Sequence, residues 1–332
     1  LLDHFLEVKG IVFDHPHLLG LTYTLPLITG PILYYYAIAL TEEKRASVLI
    51  FFLKHSIPFI LLIGYFLLDY YFLSGEEKLA YYYQETEGET SIMVYITEVC
   101  LNISLPAYSV LSLIRLKHHL AKIKGKFSYI DDIGLRWLAV ILFLYTIISG
   151  IVLLTNIFSD VIPIFSFTVG DNLMYGSLAF AIFFIGYFGI KQKAIYPEIQ
   201  EETVSLTSVK YQRSGLMITE NDPNLARLLT MMEEEKLYRN NSLSLKELAV
   251  RMDFTENKLS QLINEGLGKN FYDFVNEYRV NEVIEVIKSK EHEHLTLLGI
   301  AFESGFSSKS SFNNIFKRKT GMTPSEFKKT NA

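Results

Sequence analysis

The sequence predicts an all-α chain in two parts, a polytopic helical membrane domain followed by a water-soluble domain built from two helix-turn-helix units. Three observations lead there: long apolar runs that stop near Ile190, a charged remainder with helical periodicity, and an internal repeat within that remainder. Across 332 residues half are hydrophobic and 14% aromatic, too apolar for an ordinary soluble protein. The boundaries read as 1–190 for the membrane domain, 191–221 for a juxtamembrane linker and 222–332 for the soluble domain.

A bilayer core ~30 Å thick needs about 20 apolar residues in a helix. Five stretches meet that requirement, at roughly 18–40, 47–68, 91–114, 136–157 and 172–190. Loop cations set their orientation. Lys44 and Arg45 occupy 41–46; Arg115, Lys117, Lys122, Lys124 and Lys126 occupy 115–135; Lys191 and Lys193 follow the last span. The alternate loops differ, since 69–90 is acidic with Lys78 alone and 158–171 has no cation. Every loop agrees with a segment outside before Leu18 and a cytoplasmic carboxyl-terminal domain, the topology of a multi-pass protein of the inner (cytoplasmic) membrane. Leu1-Leu2-Asp3-His4-Phe5 reads as the tail of a cut hydrophobic segment, so the chain is expected to be a piece of a longer one.

Ionisable groups inside spans are functional candidates. Lys54 and His55 lie one to two turns from the cytoplasmic end of the second span, and Glu98 and Asn102 a similar distance from the outer end of the third. These four are candidates for sensing a small-molecule signal of unknown identity. A snorkelling Lys54 and buried interhelical hydrogen bonds for the others are the alternatives. His15-Pro16-His17 after Asp14 has a metal-like spacing without further ligands nearby and reads as a solvated turn, as does His118-His119. Cys100 alone builds no intrachain disulfide or thiolate cluster and reads as a packing residue. With no nucleophile–base pair, metal cluster or phosphate loop, neither an enzyme nor a bound metal or cofactor is expected. Paired broken helices and an internal hydropathy repeat, the marks of a transporter, are not visible either.

The formal charge of −5 argues against coating a polyanion by bulk electrostatics. From Leu225 onward 16 Lys/Arg meet 15 Asp/Glu, so any specificity there falls on placed residues. Asp222-Pro223 opens a helix. Leu225, Leu228, Leu229, Met232 and Leu237 give it an apolar face, which either packs on the following domain or forms a dimer contact.

Residues 246–274 and 298–327 repeat each other. Ala249 matches Ala301 and Phe254 matches Phe306; then Leu259, Ile263, Gly268 and Phe274 match Phe312, Phe316, Gly321 and Phe327 with one residue inserted. In the first helix-turn-helix (244–266), Ser244 and Glu247 form a capping box, Leu245, Leu248 and Ala249 an apolar face, and Asp253 the turn. Thr255 then caps a helix that buries Leu259, Leu262 and Ile263 and exposes Asn257, Ser260 and Gln261. In the second (296–318), Gly305 takes the turn; both turn residues tolerate a left-handed backbone. Its second helix starts near Ser307 or Ser308, buries Phe312, Ile315 and Phe316, and exposes Lys309, Ser310, Asn313, Asn314, Lys317 and Arg318. Thr323-Pro324-Ser-Glu326 caps a short final helix. A linker helix over 271–288 is long enough to join and space the units, so that two exposed helices could enter successive major-groove segments.

The run Ala301-x3-Gly305-Phe306-x5-Phe312-x3-Phe316-Lys317-x3-Gly321-x-Thr323-Pro324-x2-Phe327-Lys328 resembles the signature of AraC/XylS-type transcription regulators, a likeness covering about 90 residues from Ser242 to Lys329. The resemblance implies base reading in double-stranded DNA by Asn257, Ser260 and Gln261 and by Lys309, Ser310, Asn313 and Asn314. It implies phosphate contacts from Lys317, Arg318, Lys319 and backbone amides at helix starts. The membrane half is similar to the family variant with a multi-span sensor, in which seven spans would leave two missing here. A homodimer is a possible assembly, and an activator would also contact RNA polymerase. The competing reading is a membrane receptor or transporter whose helix-turn-helix domain is a regulatory appendage.

Overall fold

The computed structural model describes residues 2–20, 24–42, 47–86, 92–158, 167–192, 222–289 and 295–331. Among these the chain is helical, with one isolated antiparallel bridge, Phe127 to Ser244. Most of the linker expected at 191–221 lies outside the described residues, as do Lys44, Arg45 and Lys193. Two compact units emerge. The second joins His119–Gly134 to the described carboxyl-terminal residues from 222 on, and the first holds the described residues of Leu1–His118 and of the stretch that begins at Leu135 and ends before Pro197.

The first unit begins with α1 (Leu2–Val8), α2 (Ile11–Asp14) and a 3-10 turn at Pro16–Leu18, where His15 and His17 are exposed. Then come α3 (Pro26–Thr41), α4 (Val48–His55), α5 (Ile57–Phe66), a π turn at Leu67–Tyr71 and α6 (Gly75–Thr86). The long helices follow: α7 (Ile92–Lys124), α8 (Arg136–Phe158) and α9 (Phe167–Lys191). Five continuous spans are not what the described helices provide. Two are long and apolar enough to cross a membrane, Tyr95–Lys124 and Arg136–Leu154. A third is the bent pair Val48–His55 and Ile57–Tyr71, broken by 61°. The break has a cause in Pro58, which lacks an amide hydrogen and whose ring collides with the carbonyl one turn back. At 16 residues α3 reaches only about 24 Å, and the apolar described part of α9 is Gly176–Lys191.

The expected loop 115–135 also differs. Its first ten residues continue α7 as helix to Lys124, and His119 is buried at 3% exposure, not solvated. Its Nε2 lies 3.0 Å from the Ile133 carbonyl oxygen.

In the second unit α10 (Pro223–Glu234) starts at an Asp222 cap, and Leu225, Leu228 and Met232 are buried in the core of the domain that follows it. A 3-10 turn (Leu237–Arg239) leads to α11 (Leu245–Arg251), α12 (Glu256–Leu267), α13 (Phe271–Ser289), α14 (Leu297–Glu303), α15 (Lys309–Thr320) and α16 (Pro324–Asn331). Two apolar cores flank α13. One takes Phe271, Phe274 and Val275 with α10, α11 and α12; the other takes Val280, Val283 and Ile287 with Ile300, Phe306, Phe312 and Phe316. Being covered on both sides explains why α13 buries polar Asn276, Arg279 and Glu282 as well.

Candidate nucleic-acid interface

The two exposed helices, α12 and α15, are each fixed at both ends. Thr255 Oγ1 accepts from Lys258 N at 3.3 Å and Ser308 Oγ from Ser311 N at 3.1 Å. At the other ends Gly268 and Gly321 adopt left-handed φ values of 65° and 78°, the geometry that stops a helix. The preceding turns are left-handed as well, at Asp253 (57°) and Gly305 (92°). Ser244 caps α11 through Glu247 N at 3.2 Å, but the Glu247 carboxylate accepts from Asn240 Nδ2, so the expected box is only half made. Thr323 and Glu326 complete theirs, at 3.3 and 2.8 Å.

Burial of Leu259, Leu262 and Ile263 turns the opposite face of α12 outward, with Asn257 exposed and Ser260 and Gln261 half-buried. Gln261 Nε2 donates to Glu265 at 3.1–3.2 Å and Asn264 Nδ2 to Ser260 Oγ at 3.2 Å. Any base reading by these groups would replace those bonds. On α15, burial of Phe312, Ile315 and Phe316 leaves Lys309, Ser310, Asn313 and Asn314 exposed on one surface, with Lys317, Arg318 and Lys319 exposed in the last turn. Arg318 and Lys319 also reach back to α13, to Asp273 at 2.7 Å and Glu277 at 3.0 Å. Burial would raise the Glu277 carboxyl, but Lys269 and Lys319 outweigh it and hold the group below the usual carboxylate range.

The least legible feature is the polar interior of α13. Arg279 is 1% exposed and uses its whole guanidinium. Nε donates to Tyr238 O at 2.7 Å, Nη1 to Ser128 O at 3.2 Å and Asn276 Oδ1 at 3.3 Å, and Nη2 to Ser128 Oγ at 3.1 Å and Asn240 O at 2.8 Å. Burial pushes it down to about 10, so it stays charged at neutral pH. Glu282, 5% exposed, accepts from Lys236 Nζ at 3.1 Å and from Arg239, which lowers its carboxyl despite a burial penalty in the other direction. These bonds fix the Leu237–Arg239 turn against α13 and so set how α11 enters. A hint existed in the sequence: charged residues fall inside the apolar spacing of α13, leaving no clean polar face.

The membrane candidates are dispersed. His55 Nδ1 lies 2.9 Å from Tyr108 Oη, and its ring stacks on Phe51 at 4.2 Å, joining α4 to α7. Lys54 is exposed beside the break and Asn102 is half-buried on α7, while the side chain of Glu98 lies outside the described residues. Among the described residues no three His, Cys, Asp or Glu converge as metal ligands.

Residues 248–330 match a helix-turn-helix domain family. A stretch of 109 residues is 31% identical to an uncharacterised HTH-type transcriptional regulator of Staphylococcus aureus (strain COL), covering 32% of this chain. The chain spans 14% of the length of that relative. Another of 95 residues is 27% identical to the probable transcription factor PqrA of Proteus vulgaris, covering 29% of this chain and 75% of that protein. A solved structure, described as a protein of unknown function from Listeria innocua, is 28% identical over 33% of this chain and 99% of its own, with a TM-score of 0.30. The carboxyl-terminal domain is thus a helix-turn-helix domain similar to those of proteins named as transcriptional regulators.

Proposed function

We propose that the chain is a membrane-bound, sequence-specific DNA-binding transcription regulator of the AraC/XylS type, coupling an extracellular or intramembrane signal to gene expression. The observation that carries this reading is the pair of capped helices, α12 and α15, with polar outward faces and a single rigid helix, α13, between their units. Asn257, Ser260, Gln261, Lys309, Ser310, Asn313 and Asn314 are the proposed base readers. Lys317, Arg318 and Lys319 are the proposed phosphate contacts. The bilayer holds the apolar helices, and His55, with Lys54, Glu98 and Asn102, is a candidate for the signal site. The soluble domain faces the cytoplasm in this reading, so its DNA comes to the membrane.

Selection from a random duplex pool with the full chain in lipid nanodiscs tests it. An enriched consensus is expected; enrichment of nothing favours the regulatory-appendage reading. Gln261→Ala or Lys309→Ala should change the preferred base at one position, each good base contact being worth ~1–3 kcal/mol of discrimination. Arg318→Ala should weaken binding to all duplexes alike. Equal losses on cognate and random duplex for all three variants would sink the assigned readers.

A further inference from the structure

The last turns of α7, together with the segment between α7 and α8, are built into the second unit. Ile123 and Ile130 are buried in the second core beside Phe312 and Phe316. Ser128 N donates to Leu243 O at 3.2 Å and Leu245 N to Lys126 O at 2.9 Å, which lays the chain antiparallel to the entry of α11. Ser128 is the anchor. Its carbonyl and hydroxyl take the Arg279 guanidinium, its hydroxyl donates to Leu243 O at 2.7 Å, and its carbonyl also accepts from Asn276 Nδ2 at 3.1 Å.

Three residues on, the attachment is different in kind. Asp131 Oδ2 accepts a 2.6 Å hydrogen bond from Ser308 Oγ, the hydroxyl that caps α15. The other carboxylate oxygen is buried without a partner. A carboxylate thus sits at the positive end of the second proposed recognition helix, the place where helix amides and dipole take a phosphate. Its half-satisfied state makes this tip weaker than the Ser128 anchor, which shares several bonds. The tip also leads straight into α8. Gly134 turns so tightly that a Cβ would lie 2.8 Å from Ile130 O, and Leu135 follows in the left-handed region at φ 50°. Leucine, bulky and seldom found in that region, is strained there, and Gly134 and Leu135 are the covalent link between Asp131 and α8.

We propose that residues 119–134 form an intramolecular gate. Ser128 stays anchored at Arg279, Asp131 occupies the phosphate position at the start of α15, and movement of α7 and α8 withdraws it to admit DNA. The gate rests on the DNA-binding reading above, and regulation enters it through the chain that joins two membrane helices.

The test uses the full chain in nanodiscs and a duplex enriched by selection, comparing wild type with Asp131→Asn, Asp131→Ala and Asp132→Asn. Removing the carboxylate at 131 should tighten binding roughly tenfold, since a like charge facing a phosphate is strongly unfavourable. Asp132→Asn changes the net charge equally but leaves the α15 cap alone, and should bind as wild type does. Hydrogen exchange gives a second readout: adding duplex to wild type should raise exchange across 131–134 while 128 stays protected. Equal affinities for wild type and both Asp131 variants, an equal gain from Asp132→Asn, or unchanged exchange at 131–134 would each overturn the gate alone. Should no duplex be enriched by any of the four proteins, the DNA-binding reading falls and takes the gate with it.

Discussion

Replacing Arg279 by methionine is expected to unfold much of the second unit, at a cost of about 3–5 kcal/mol. Methionine fills comparable space but donates nothing, so the carbonyls of Ser128, Tyr238 and Asn240 and the Asn276 side chain each lose a donor inside the protein. A buried acceptor left bare costs ~1–3 kcal/mol, which is why the loss should exceed that of an ordinary hydrogen bond. Arg279→Lys should be intermediate, because one ammonium cannot span acceptors on four sides. The charge itself is a cost: burial depresses the folded-state value to about 10, so this penalty is present at neutral pH and eases only as pH rises through that value. Stability differences between wild type and variant should therefore be flat around neutrality. Trp137, the sole tryptophan, lies in the first unit, so pulse proteolysis or hydrogen exchange along α13 is the proper measurement. A loss below about 1 kcal/mol would mean that water replaces the guanidinium, and that its bonds do not hold the 237–239 turn and Ser128 against α13.

What was readable in the sequence was local. Helix starts at Thr255, Ser308 and Thr323, the left-handed turns at Asp253 and Gly305, and the inward positions Leu259, Ile263, Phe312 and Phe316 all depend on neighbours within about four residues. Contacts made at long range were not readable. Ser308 meets a carboxylate 177 residues away, and Arg279 takes two of its acceptors from a residue 151 positions earlier. Nothing periodic marks Ser128 or Asp131, and a lysine-rich stretch after an apolar run reads naturally as a solvated loop. The second expected span hides an interruption, the 61° bend between Val48–His55 and Ile57–Tyr71. Hydropathy averages over a window and ignores Pro58, so a bent pair of helices passes as one.

The two halves of the repeat should respond oppositely when their turn residues are exchanged. Gly305 stands at φ 92°, and a Cβ there would lie 2.3 Å from Tyr238 O and 2.9 Å from Arg239 Cα. Those are backbone atoms of a turn that Arg279 and Glu282 hold in place, so they have no room to swing aside. Gly305→Ala should accordingly cost on the order of 3–5 kcal/mol, backbone strain and steric overlap together, and should abolish duplex binding through displacement of α15. Gly268→Ala and Gly321→Ala isolate the first of these effects, since both positions have positive φ but nothing within 4 Å of the added carbon. About 1 kcal/mol each is expected there. Asp253, at φ 57° and exposed, carries the strain without the close approach, so Asp253→Gly should be neutral or stabilise slightly. Converting the second turn to the residue of the first, Gly305→Asp, should be at least as harmful as alanine. Comparable small losses for Gly305→Ala and Gly268→Ala in chemical denaturation would show that the 238–239 turn yields, and that the second unit is not wedged against it as the geometry requires.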